Sequence, residues 1–455
     1  MTSADSIPEG TLAMPEHTQT STRRRRGASA LILTAALTGT MVAGAATAGA
    51  ATSGHAGIAA DRATSAAERA GQTAGQTAAQ TAAQTAALSR LAEQVIADGA
   101  PGVIVRVDTG HGAPIEISRQ ASWTRADGRL DADDQVRMGS NTKTMVATLV
   151  LQLVAEHKLA LTDPVAKWLP GQVPDGSAIT VRMLLNHTSG LYNYLDDPAV
   201  LASFLGQNPQ NWTPAELLAA GVSHPALFAP GAQFSYSNTN YIALGLILQK
   251  ATGHSLADLI QLRIARPLGL HDTYLASAQH PGSGLTAGYE PDAAHLAPFL
   301  PPGVPAGTAF AGPARGDYTD VTAINPSDLW AAGGIVSTAR DWSRFDSALM
   351  SGRLLPAAQL QEMRTTVPED PAQPDGNGYG LGLRKVVFPS GTVWGHDGQA
   401  PGYSSQTYAD ASGKRTVEII TTTIFGVADP KTGAAYQNLS NAAVAVMLGK
   451  PIPAS

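Results

Sequence analysis

Three features of this sequence predict an α/β fold of the α+β type, with an antiparallel sheet flanked by helices and split by a mostly helical subdomain. β-branched runs lie near both ends of the globular region, from Gly102 to Val107 and from Val417 to Thr423. Between them sits a helix apolar on nearly every side, from Ser140 to about Lys158. The stretch from Thr162 to Asn325 is rich in loops and helical patterns. Strands at both ends of a chain that enclose helices read as one sheet domain interrupted by an insertion. The length of 455 residues allows a large core, and 15% charged residues against 44% hydrophobic ones exclude an intrinsically disordered chain.

Composition also removes several classes of function. A net charge of −6 gives no electrostatic footing for nucleic acid, which is therefore not an expected partner. The absence of cysteine excludes disulfides, zinc fingers, iron–sulfur clusters and a thiol nucleophile. The histidines are scattered without ligand spacing, so no metal and no cofactor is expected.

Each segment can be read in order. Arg23 to Arg26 precede a weakly apolar stretch that ends in Ala48-Gly49-Ala50-Ala51, the pattern of a secretory signal peptide over residues 1–51. This predicts a secreted protein, by the general rather than the twin-arginine route, with no membrane span after processing. Residues 52–87 carry Gln-Thr-Ala repeats without a large apolar residue until Leu88 and read as a low-complexity spacer or frayed helix. The expected sheet subdomain comprises 88–161 and 325–450, and the helical one 162–324. Gly102–Val107 turns at Thr109-Gly110 into a partner strand at Ile115–Ile117. A helix is expected over Tyr241–Ala251. Strands at Tyr403–Tyr408 and Val417–Thr423 flank the turn Ser412-Gly413-Lys414, and a last helix runs from about Ala434 to Leu448.

Chemistry concentrates in three places. Ser140-Asn141-Thr142-Lys143 is the one Ser-x-x-Lys in the chain, at the head of the buried helix. Three residues apart on a helix, a hydroxyl and an amine share a face, and burial can hold the lysine partly neutral as a base. Phe234-Ser235-Tyr236-Ser237-Asn238 brings a phenol and an amide together on a short loop. Trp394-Gly395-His396-Asp397-Gly398 adds an imidazole among glycines.

Together, Ser140-x-x-Lys143, Tyr236-Ser237-Asn238 and His396-Asp397-Gly398 resemble the three motifs of penicillin-recognising serine hydrolases. The resemblance is closest to the actinomycete D-alanyl-D-alanine carboxypeptidase branch, related to class C β-lactamases. It covers roughly Ala100 to Leu448, with support from His187-Thr188-Ser189-Gly190-Leu191, Arg266-Pro267-Leu268-Gly269-Leu270 and Tyr379-Gly380-Leu381-Gly382-Leu383. It implies a β-lactamase/transpeptidase-like fold, Ser140 as the acylated nucleophile, and Lys143 and Tyr236 as the proton-transfer pair, aided by His396. It further implies Asn238 as a contact to the substrate amide, Arg384 near a substrate carboxylate, and Trp330 as an aromatic wall. Backbone N–H groups of Ser140 and Gln399 would form the oxyanion hole, with Asp397 and Gly398 beside them. His187 is expected to hold a turn rather than touch substrate.

Two departures bear on the substrate. Asp397 and Gln399 stand where the carboxypeptidase branch has threonines that help bind a terminal carboxylate. The implied activity is first a D-alanyl-D-alanine carboxypeptidase acting on peptidoglycan-derived peptides, with β-lactams as acylating inhibitors. The alternatives are an esterase, a D-amino-acid amidase or D-aminopeptidase, or a sensor that binds such ligands without turnover.

Overall fold

A computed structural model describes residues 59–282, 284–300, 305 and 307–453, with side chains from residue 78 onward. The predicted signal segment, 1–51, lies outside the described residues. Eight strands form one antiparallel sheet: β1 (Gly102–Asp108), β2 (Ile115–Gln120), β3 (Val367–Pro368), β4 (Gly378–Tyr379), β5 (Arg384–Phe388), β6 (Gly391–Ala400), β7 (Tyr403–Ala409) and β8 (Thr416–Thr421). Their order is β2-β1-β8-β7-β6-β5-β4-β3, so the first and last strands of the described residues lie side by side, second and third from one edge of the sheet. Val103 pairs with Thr421 and Val107 with Val417, which closes the two ends of the chain on each other.

Side chains along β1 alternate between faces, as a strand buried on both sides requires. Val103, Val105 and Val107 join a core with Leu88, Ala92 and Val95 of helix α1 (Ala59–Ala97) and Leu439, Ala443 and Val446 of the last helix. Ile104 points the other way into a larger cluster containing Met145, Leu149, Tyr241, Leu244, Trp342 and Phe345. That cluster runs without a break from the sheet into the region 162–324, which therefore shares a core with the sheet.

Three further helices complete the frame: α2 (Thr142–Ala155), α3 (Thr239–Thr252) and α4 (Ala339–Met350). The last helix is α5 (Pro430–Met447). In α2, Met145, Val146, Leu149, Val150, Leu151 and Leu153 are all buried, which bears out the reading of a helix apolar all round. It stops at Ala155, a turn earlier than expected, and begins after a 3-10 turn over Gly139–Asn141 that carries Ser140.

Of the two readings of the Gln-Thr-Ala tract, spacer or frayed helix, the structure has the helix: α1 runs unbroken from Ala59 to Ala97 through residue 88. Alanine and glutamine are strong helix formers and need no apolar stripe to continue a helix that is anchored further on. The Trp394–Gly398 segment lies inside the ten-residue β6, a strand paired with the expected one at Tyr403–Tyr408. Its two glycines sit where another backbone comes close.

Candidate active site

The nucleophile turn is fixed by packing on β6. Met138 donates its N–H to Ile335 O at 2.8 Å, anchoring the turn to a short strand, Ile335–Ser337. Gly139 has φ 53°, and a Cβ there would lie 2.4 Å from Gln399 N. Only glycine fits, and the Ser140 backbone therefore runs beside the Gln399 backbone, where the two oxyanion-hole donors were expected. Gly398 makes the same contact from the strand side: a Cβ would lie 1.9 Å from Met138 O. On its Cβ side, the close approach of Gly398 is therefore to the protein's own nucleophile turn. Asn141 secures the turn from below, donating from Nδ2 to Ser405 Oγ at 2.8 Å and accepting from Thr407 Oγ1 at 2.7 Å.

Lys143 is fully buried. Its Nζ lies 2.9 Å from Ser140 Oγ, 2.7 Å from Asn238 Oδ1 and 2.6 Å from the carbonyl of Ala332. Burial pushes its pKa well below the usual lysine value, and the Asp397 carboxylate opposes that only in part. A neutral amine has two N–H donors and one lone pair. The two carbonyl oxygens can take both donors, which leaves the lone pair for the Ser140 hydroxyl. Ser140 itself is half-buried and so reachable.

Tyr236 closes the other side. Burial raises its pKa above the ordinary phenol value, opposed by a hydrogen bond with Ser140, so it keeps its proton. Lys143 Nζ lies 5.0 Å from its ring centroid. His187 holds the loop on both sides of Tyr236: Ser235 N donates to His187 O at 2.9 Å and Ser237 N to His187 Nδ1 at 3.2 Å. The two rings lie 4.2 Å apart, tilted by 32°. His187 is buried with φ 60°, a left-handed conformation uncommon outside glycine.

The other predicted residues have well-defined neighbours. His396 is buried, and its Nε2 bonds Tyr379 Oη at 2.8 Å rather than Tyr236, whose ring centre is 6.4 Å away. Burial drives its pKa down to about 3, which favours the neutral imidazole. Asn238 spends its amide within the protein: Nδ2 donates to Asn193 Oδ1 at 3.0 Å while Oδ1 faces Lys143. Trp330 turns its indole against α3, where a Cβ on Gly245 would lie 2.7 Å from the ring, so it wedges a helix rather than forming an open wall. Gln399 is exposed on β6. Arg384 is half-buried and held by two carboxylates: Glu369 bidentately, with Nε–Oε1 2.7 Å and Nη2–Oε2 2.6 Å, and Asp397 through Nη1. Sequence reasoning missed Glu369, Asn193 and the Ala332 carbonyl. None belongs to a motif, and each reaches the site only through the fold.

The Beta-lactamase family model matches residues 87–442. A D-stereospecific amidohydrolase from Streptomyces sp. has a similar solved structure, with a TM-score of 0.63 and 36% identity, covering 74% of this chain and 94% of that one. Esterase EstB of Burkholderia gladioli is 36% identical over 40% of this chain and 48% of its own length. A penicillin-binding protein of Bacillus subtilis is 27% identical over 61% of this chain and 58% of its own length. The chain thus spans about half to three-fifths of these two curated relatives. With the sheet, the helical region and the Ser-x-x-Lys turn all in place within the matched span, the chain belongs to the beta-lactamase family of serine hydrolases.

Proposed function

We propose that this protein hydrolyses amide or ester bonds of D-aminoacyl substrates through an acyl-enzyme on Ser140. The observation that carries the proposal is the set of three partners around Lys143 Nζ, which suits a neutral amine whose lone pair faces Ser140 Oγ. Lys143 takes the hydroxyl proton as Oγ forms a bond to the substrate carbonyl carbon. The N–H groups of Ser140 and Gln399 hold the resulting oxyanion, and Tyr236 passes its phenolic proton to the leaving amine or alcohol as that bond breaks. Water then attacks the ester by the reverse proton path.

The amide reading draws on the similarity to a D-stereospecific amidohydrolase, and the ester reading on that to EstB. The similarity to a penicillin-binding protein supports the carboxypeptidase reading and β-lactams as acylating ligands. The arginine run and small-residue exit of residues 1–51 support export.

The test is covalent trapping. Intact-mass analysis after incubation with a fluorophosphonate should show one adduct on Ser140 that is absent from Ser140→Ala. A folded protein that is unlabelled, and inactive on p-nitrophenyl esters and D-amino-acid amides, would overturn the proposal.

A further inference from the structure

Arg384 is the cation expected to greet a substrate carboxylate at this end of β5 and β6, and its charge is already matched within the protein. Glu369 takes Nε and Nη2 in a planar two-bond grip, and Asp397 takes Nη1. Arg384 and Glu369 side chains are 13% and 16% exposed, whereas that of Asp397 is 40% exposed. The trio carries two negative charges against one positive, and its most accessible member is a carboxylate. Its position ties it to the reacting groups. Asp397 follows His396 and stands two residues before Gln399 on β6, and Arg384 pairs with Gly395 across the sheet. The fields of Asp397 and Glu369 both reach Tyr236, and that of Asp397 also reaches Lys143.

A buried arginine held bidentately is costly to free, because moving it to another anion leaves a carboxylate unpaired. A substrate carboxylate entering here would meet a net negative charge, whereas a cation would meet a favourable one. We propose that Glu369 is a specificity-determining residue that clamps Arg384 and so makes this end of the cleft select substrates with an ammonium or other cationic group near the scissile bond over those with a carboxylate. The inference rests on the acyl-enzyme reading above and specifies the charge class of its substrate.

Three p-nitroanilides differing in charge provide the test: D-alanine p-nitroanilide, its N-acetyl derivative and its N-succinyl derivative. In the unaltered protein kcat/KM should fall in that order, with the cationic substrate at least tenfold above the anionic one. Glu369→Gln and Asp397→Thr should each cut the cationic-to-anionic ratio at least tenfold. As a check independent of variant folding, added NaCl should lower kcat/KM for the cationic substrate and raise it for the anionic one. Equal or greater activity on the succinyl substrate, or a ratio unmoved by both variants, would overturn the proposal. Loss of turnover on all three substrates together with loss of Ser140 labelling would instead count against the acyl-enzyme reading.

Discussion

Asn238 Oδ1 stands 2.7 Å from Lys143 Nζ, with the Asn238 amide nitrogen tied to Asn193. The amide therefore acts first on the lysine, holding its two-donor, one-lone-pair arrangement toward Ser140. A neutral oxygen at that position stabilises the ammonium less than a carboxylate would, which helps burial keep the amine deprotonated. Asn238→Asp should raise the Lys143 pKa. The acidic limb of the kcat/KM–pH profile should move up by at least one unit, and kcat at pH 7 should fall tenfold or more, an order of magnitude usual for proton-transfer groups. An unmoved limb in a folded variant would contradict this role.

His187 and Tyr236 form a second pair that can be tested apart from the chemistry. Neighbours of Tyr236 on both sides bond His187, and the two rings lie in tilted contact. His187 is thus a positioning residue for the phenol. His187→Ala should lower kcat about tenfold while leaving KM within about threefold. His187→Asn, which restores an acceptor for the Ser237 N–H, should recover part of that loss. Equal losses in kcat and KM, with no recovery by asparagine, would point to general unfolding of the loop.

Much of this was legible in the sequence because the chemistry is local. Ser140 and Lys143 share one helical turn, and Tyr236 and Asn238 share one loop, so spacing alone brought them forward. The buried α2 followed from apolar residues on every side. What escaped depended on distant pairing. Glu369 and Asp397 are 28 residues apart in sequence and meet only through Arg384 on a strand between them. His396 lies on the expected strand, but its partner was set by where Tyr379 falls in the sheet. Glycines misled as well: Gly395 and Gly398 suggested room for a substrate, whereas the nearest atoms are Thr407 O and Met138 O, both of the protein itself.

Buried acids set a pH dependence of stability. Asp346 on α4 is pushed up to about 8, and Glu418 on β8 lies well above the usual carboxylate range. Burial is the main cause for both, and Asp346 adds repulsion at Glu418. Arg106 is paired with Glu116 and offsets little of this. Both groups keep protons in the folded state that the unfolded chain loses near pH 4, so they cost stability as pH rises from about 4 to about 8. Lys143, whose pKa burial lowers, acts in the opposite sense, as do buried His187 and His396 below about pH 6.5. Glu290 and Asp328, both raised to about 7 by burial, add to the first two acids, and between pH 6.5 and 8 these four carboxyls outweigh the one lysine. Tm should fall over that interval, and Asp346→Asn should make the change less negative. A steeper fall in the variant would reverse the assigned sign.

The last prediction concerns where the folded domain begins. On α1, Gln80 is exposed, whereas Leu88, Ala92 and Val95 are buried against β1 and α5. The family match starts at residue 87, at the same point of the helix. The low-complexity tract and the anchoring turn are therefore one helix with two jobs, and only the second carries packing energy. Leu88→Ala removes a fully buried side chain and should cost about 2–5 kcal/mol, the usual range for a leucine deleted from a core. Gln80→Ala should change stability by less than about 0.5 kcal/mol, as surface substitutions do. Chemical denaturation of both variants measures the difference. Equal effects would mean that the packed domain does not begin at Leu88.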